Sequence, residues 1–346
     1  MDERRDVPLA SLTTLRLGGA ARRLVEVDDA AELVRTVDRL DAVGEPVLVL
    51  GGGSNVVVCD EPFEGTVVLV RTRGISVDAD ACGGAMVTVQ AGEPWDELVA
   101  HAVDERWVGV EALAGIPGLV GAVPIQNVGA YGQEVAQTIA SVRTFDRRER
   151  RATTFASADS GFSYRNSRFK AEPGRYLIES VTFQLGIGDL SAPVRYAELA
   201  RTLGVALGER APTASVRDAV LRLRRGKAMV LDPVDHDTWS AGSFFTNPVL
   251  QAQDAATLLP AEAPRWTLPD GTVKASAAWL IDHAGFTRGY GNGPARISGK
   301  HSLALTNTGA ARASDLLDLA REIRTGVAKA YGIVLEPEPV FVGCSL

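Results

Sequence analysis

The sequence predicts an α+β protein of two or three domains, on three observations. Its 346 residues exceed what one hydrophobic core usually organises. Short apolar runs of strand type are interspersed with amphipathic stretches of helical period. One apolar run, Val47 to Leu50, ends in Gly51-Gly52-Gly53-Ser54-Asn55, and Val56, Val57 and Val58 then read as a strand, not a helix. That order matters, because a Rossmann or P-loop site needs a helix directly after its glycines, with GxGxxG or GxxxxGK[ST] spacing. Neither spacing is present. A strand–GGGSN–strand loop can still aim successive backbone N–H groups at an anion; the plain alternative is a tight turn.

Taken in order, Leu24 to Val27 is a strand, and Asp28 or Asp29 caps the helix that follows. Leu33, Val34, Val37 and Leu40 share a face of that helix, and Gly44 suits its end. VLVL reads as a strand buried on both faces. Thr66 to Val70 and Met86 to Ala91 are further strands, and Trp95 to Asp104 is a helix. The stretch Ala112 to Gly132 carries no charge but holds five glycines and two prolines, which breaks any membrane helix. Two readings stay open there: backbone pressed against a large uncharged ligand, or a buried, turn-rich connection. Val142 to Phe145 is a strand ending in the solvated turn RRERR, and YRNSRFK reads locally as a polar turn. Thr213 to Lys227 is an amphipathic helix with a basic end, which either complements the helix dipole or clamps a diphosphate. LDPVDHDTW marks a domain boundary. Trp279 to His283 looks like a helix end. Ser314 caps a long helix stopped by Gly332, and IVLEPEPVFVG has the pattern of an edge strand with solvated carboxylates.

Composition narrows the class. With 46% hydrophobic and 23% charged residues the chain reads as an ordinary soluble globular protein, and a net charge of -7 disfavours nucleic acid as main partner. Neither a signal peptide nor a membrane span is readable. Cys59, Cys82 and Cys344 lack metal or disulfide spacing, and the four histidines are scattered. That predicts a reducing, cytoplasmic setting and no metal site. Ser243 lies outside any GxSxG elbow and is not marked as a hydrolase nucleophile.

In their order and spacing, GGGSNVVV, AGIPGLVGAVPIQNVGAYG, SYRNSRFK, SAGSFFTNPV and LEPEPVFVG resemble the bacterial UDP-N-acetylenolpyruvoylglucosamine reductases. The likeness runs over nearly the whole chain. It implies an α+β fold with a p-cresol methylhydroxylase-type FAD-binding module of two subdomains, residues 1–72 and 73–228, the second joined by the tail 329–346. A third, substrate-binding domain would span 229–328. Non-covalent FAD would rest on Gly51, Gly52, Gly53, Ser54 and Asn55, and on Gly115, Ile116, Pro117, Gly118, Gly121, Ala122, Gln126, Asn127, Gly129, Ala130, Tyr131 and Gly132. The catalytic set would be Arg165, Ser243 and Glu338. Tyr164, Tyr196, Arg224, Lys227, Asn247 and His301 would hold the nucleotide substrate.

The implied reaction is NADPH-dependent reduction of UDP-N-acetylglucosamine enolpyruvate to UDP-N-acetylmuramate for peptidoglycan synthesis. NADPH would reduce FAD, and hydride would then pass to the vinyl carbon. Arg165 and a protonated Glu338 would stabilise the enolate-like charge while Ser243 protonates the adjacent carbon. VRYAELARTLGV, with Tyr196, suggests the form with an extra tyrosine-bearing loop. The stretch Gly291 to Ser298 departs from the Gly-Gly-Ala pattern of many relatives. No membrane, nucleic acid or obligate protein partner is implied. Two rivals are an FAD-dependent alcohol or hydroxy-acid oxidase, which would lack Arg165, Ser243 and Glu338 in these contexts, and a UDP-sugar sensor without flavin.

Overall fold

A computed structural model describes residues 2–80 and 83–346, so Cys82 lies outside the described residues. The chain divides into two compact units. The first comprises residues 1–7, 21–52 and 63–226, the second residues 8–20, 53–62 and 227–346.

Two sheets organise the first unit. A four-stranded sheet runs Asp2–Pro8, Ala20–Val27, Phe63–Val70, Val47–Leu50, with the last three strands parallel. Helix Ala30–Ala42 buries Leu33, Val37 and Leu40, and Asp29 accepts from Glu32 N–H at 2.7 Å as its cap. Gly44 (φ +71°) ends it: Gly44 N–H reaches Asp41 O and Glu45 N–H reaches Leu40 O. VLVL is not buried on both faces as expected. It is the outer strand, and only Leu50 is buried, because a sheet edge has a neighbour on one side only.

The second sheet is antiparallel, in the order Arg151–Ala156, Ile139–Asp146, Tyr176–Ile187, Gly84–Gln90, Ile75–Asp80, with Trp107–Val108 pairing the end of the long strand. Helices Trp95–Asp104 and Thr213–Gly226 bury Trp95, Leu98, Val99, Val216, Ala219 and Val220 in this unit. RRERR proves to be more than a solvated turn. Arg147 bonds Asp41 through two nitrogens at 2.6 and 2.8 Å, and Arg150 bonds Asp38 at 2.7 and 2.9 Å. The hairpin of one sheet is thereby pinned to the helix of the other.

In the second unit, helix Ala313–Tyr331 packs Leu316, Ala320, Ile323 and Val327 against Phe244, Phe245, Leu280, Ile333 and Leu335. Its first residue is not preceded by Ser314 as cap. Asp60, from a distant segment, accepts from Ala313 N–H, Ser314 N–H and the Ser314 hydroxyl at 2.7, 3.1 and 2.9 Å. Burial works against that charge, but these three donors outweigh it and hold the Asp60 carboxyl below its ordinary range. The tail is an edge strand as expected, since Val340–Val342 pairs in parallel with Val56–Val58 alone, and Glu336 upstream of it is exposed. The departing stretch Gly291 to Ser298 folds into a hairpin, with Ala295–Ile297 against Leu305–Asn307. Among the described residues no helix is long and apolar enough to cross a membrane, no His/Cys/Asp/Glu group could hold a metal, and Cys59 and Cys344 are free thiols.

Candidate active site

In the first unit the uncharged stretch 112–132 is strapped down by backbone bonds. Val120 and Gly121 N–H donate to Glu93 and Ala91 carbonyls, and Trp95 N–H to Gly118 O. Gly115 N–H is held by Asp96. Glu111, fully buried, accepts from Gly109 N–H, Gln133 and Ala192 N–H, while Gln133 takes the Ala112 N–H. Gly52 comes so near this stretch that a Cβ on it would lie 2.8 Å from Gly118 Cα. Two glycine-bearing turns therefore meet backbone to backbone, and only glycine allows that.

Those turns leave donors over. Among the described residues, no protein group accepts from the N–H of Gly52, Gly53, Ser54, Ile116 or Gly118. Such half-buried donors call for a partner. Within the first unit, the free donors of Gly52, Ile116 and Gly118 suit an anion and the uncharged backbone beside them suits flat rings, as a dinucleotide would supply. The Asn127 side chain is committed to protein. It donates to Glu134 and Ser163 O at 3.0 and 2.9 Å and accepts from Ala136 N–H.

YRNSRFK is no ordinary polar turn. Ser163 and Asn166 close it with reciprocal backbone bonds, and Arg165 at its tip has φ +53°. The Arg165 guanidinium donates to Gly129 O at 2.9 Å and packs over the Tyr164 ring, while the Ser167 hydroxyl donates to Ile125 O at 2.8 Å. The motif is thus bonded along the stretch 125–129. Tyr131 and Tyr196 meet edge to face at 5.3 Å. Burial pushes the Tyr131 phenol up to about 12, with the Arg224 charge opposing. Burial also lowers Arg224, to about 10, and the nearby Arg165 adds to that shift. Two guanidiniums that feel each other's charge beside two tyrosines suit an anion. The tool for a phosphate or carboxylate is present.

In the second unit, Thr14 N–H donates to Gly53 O and the Thr14 hydroxyl to Ser240 O at 2.7 Å. Ser243 bridges to Ala304, Phe244 N–H donates to Leu303 O, and Glu338 N–H donates to Phe244 O at 2.8 Å. Ser243 and Glu338 therefore flank the backbone of Phe244. Asn55 secures the same tail: its side chain donates to Glu338 O at 3.3 Å, and its carbonyl accepts from Val340 N–H. His301 accepts from Leu303 N–H through Nδ1 at 3.0 Å, so its neutral form carries the proton on Nε2. Asn247 has a structural duty, accepting from Ala277 N–H at the start of helix Ala277–His283.

The predicted residues thus sort by unit. Gly51, Gly52, the 115–132 set, Tyr164, Arg165, Tyr196 and Arg224 lie in the first; Gly53, Ser54, Asn55, Lys227, Ser243, Asn247, His301 and Glu338 lie in the second. Asp96, Glu111, Gln133 and Lys170 were not foreseen. Each has a partner 19 or more residues away in sequence, which no local pattern announces.

Residues 21–153 match the family model of an FAD binding domain, which makes the chain a flavin-binding protein. Residues 232–342 match that of the UDP-N-acetylenolpyruvoylglucosamine reductase C-terminal domain. The reductase of that name from Cutibacterium acnes is 56% identical over 99% of this chain and 90% of its own length; that of Streptomyces coelicolor is 53% identical over 100% and 92%. The crystal structure of the Thermus caldophilus enzyme superposes with a TM-score of 0.65 at 27% identity, covering 99% of this chain and 98% of that one. The chain belongs to the UDP-N-acetylenolpyruvoylglucosamine reductase family. It is an FAD-dependent oxidoreductase, a UDP-N-acetylmuramate dehydrogenase that forms UDP-N-acetylmuramate for peptidoglycan.

Proposed function

We propose that Arg165, Ser243 and Glu338 carry the second half of this reaction, the reduction of the enolpyruvyl ether. FAD, when bound, would supply the means of passing hydride from NADPH to the vinyl carbon of the substrate. Negative charge then gathers on the substrate carboxylate and its α-carbon. Arg165 and a protonated Glu338 would donate to that carboxylate, and one such donor in a dry site typically stabilises a transition state by about 3 kcal/mol. Ser243 would protonate the α-carbon. A hydroxyl is a weak acid, but a carbanion-like centre is basic enough to take its proton. The nucleotide and sugar would be held by Tyr164, Tyr196, Arg224, Lys227, Asn247 and His301. The GGGSN loop and the 115–132 stretch would hold FAD.

One observation carries this reading: the Glu338 N–H donates to the carbonyl of Phe244, the residue next to Ser243, although the two lie in distant segments. A pair so joined can act on one substrate carboxylate and its neighbouring carbon. Supporting the rest, the two sheets of the first unit fall within 1–72 and 73–228, which fits two FAD subdomains ahead of a substrate domain at 229–328. The Tyr131–Tyr196 ring contact favours the form in which a tyrosine-bearing loop covers the substrate. Cys59 and Cys344 stay free thiols although they lie near each other, which favours a reducing, cytoplasmic setting. Neither membrane nor obligate protein partner enters the scheme.

Stopped-flow of the two half-reactions tests the assignment. Ser243→Ala should leave flavin reduction by NADPH nearly intact and slow flavin reoxidation by the enolpyruvyl nucleotide by a factor of roughly 10² to 10⁴. Equal loss in both halves would refute the placement of Ser243.

A further inference from the structure

Arg165 sits in a backbone conformation that a long side chain adopts only when held there. Its φ of +53° is left-handed, a strained conformation for an L residue with a side chain. The Ser163–Asn166 turn encloses it, but the carbonyl of Arg165 itself is held from elsewhere. The ammonium of Lys170 donates to Arg165 O at 3.1 Å and to Gln126 Oε1 at 3.0 Å. Lys170 is half-buried on the short helix Arg168–Ala171, whose cap Ser167 is itself bonded to Ile125 O. One cation therefore ties the strained turn to the stretch that seats the cofactor.

We infer that Lys170 is a positioning residue for the reduction step: it fixes the Arg165 peptide and so aims the guanidinium. The inference rests on the role proposed above for Arg165. A methionine at 170 would fill the same length yet donate nothing. The Arg165 carbonyl could then rotate towards an ordinary conformation and carry the guanidinium off Gly129 O. An arginine at 170 would keep a donor within reach.

The test compares Lys170→Met, Lys170→Arg, Arg165→Met and the double variant Arg165→Met/Lys170→Met as FAD-loaded full-length enzyme. Lys170→Met should slow flavin reoxidation by the nucleotide by roughly ten- to a hundred-fold, the scale of a small misplacement. Flavin reduction by NADPH should stay within about twofold. Lys170→Arg should recover most of the loss, and the double variant should be no slower than Arg165→Met, since both act through one guanidinium. Melting temperature and bound-flavin absorbance, read alongside, should barely move. Normal reoxidation in Lys170→Met beside a slow Arg165→Met overturns the inference alone. So does equal slowing of both halves with flavin loss, or additive effects in the double variant. Normal reoxidation in Arg165→Met would instead overturn the Arg165 role, and this inference with it.

Discussion

Two stretches of the molecule are comparably glycine-rich, yet their glycines serve different ends. Residues 112–132 and 285–299 hold five each. In the first, other backbone crowds in: a Cβ on Gly121 would lie 2.6 Å from Ala91 Cβ and 3.2 Å from Ala91 O. In the second, Gly285, Gly289 and Gly293 have nothing within 4 Å of such an atom, and Gly291 alone comes near other backbone, 3.0 Å from Ala295 O. There the need is for handedness, as at Gly285 (φ +97°), where the N–H groups of Gly285 and Phe286 close helix Ala277–His283 onto Asp282 and Ile281 carbonyls. Glycine content alone therefore does not mark a cofactor seat. What separates the two stretches in the sequence is charge: 112–132 has none, whereas 285–299 carries Arg288 and Arg296.

Alanine substitutions graded along this contrast would break or sharpen it. Gly121→Ala should have the largest effect, a loss of about 2–3 kcal/mol from overpacking, with weaker FAD retention. Denaturant midpoints and flavin titration read both. Unchanged values would mean that the stretch yields freely and that closeness is not its purpose. Gly285→Ala should be intermediate, costing about 1 kcal/mol for a left-handed alanine and leaving FAD affinity unaltered. A change in flavin binding there would blur the distinction between the two stretches. Gly293→Ala should be smallest, neutral to about 1 kcal/mol stabilising, because it meets no neighbour and stiffens the unfolded chain. Clear destabilisation by the same midpoint measurement would count against open space at that position.

Local signals in the sequence located the elements whose causes are local. Asp29 as a cap, the Leu33–Val37–Leu40 face and the strand–GGGSN–strand order all depend on residues within a few positions of one another. What stayed hidden depends on long-range partners. Arg165 reads as part of a polar turn because its carbonyl acceptors lie near residue 129, and Asp60 gives no sign that it caps a helix starting at Ala313. RRERR looked solvated because Asp38 and Asp41 are a hundred residues upstream, roughly counted. For Arg165, Ser243 and Glu338, only the agreement of five motifs with a family pointed to chemistry; their own neighbourhoods offered bland alternatives. VLVL shows the converse error, in which an apolar run was read as central although its place in the sheet is the edge.

The remote cap at Asp60 also has a consequence for synthesis. Strand Val56–Val58 leaves the ribosome well before its partners, because Val340–Val342 and helix Ala313–Tyr331 lie far downstream. At about 5–20 residues per second, a newborn chain carries that apolar strand unpaired for roughly 14–57 seconds. During that interval it is an aggregation-prone edge, and a natural foothold for a chaperone.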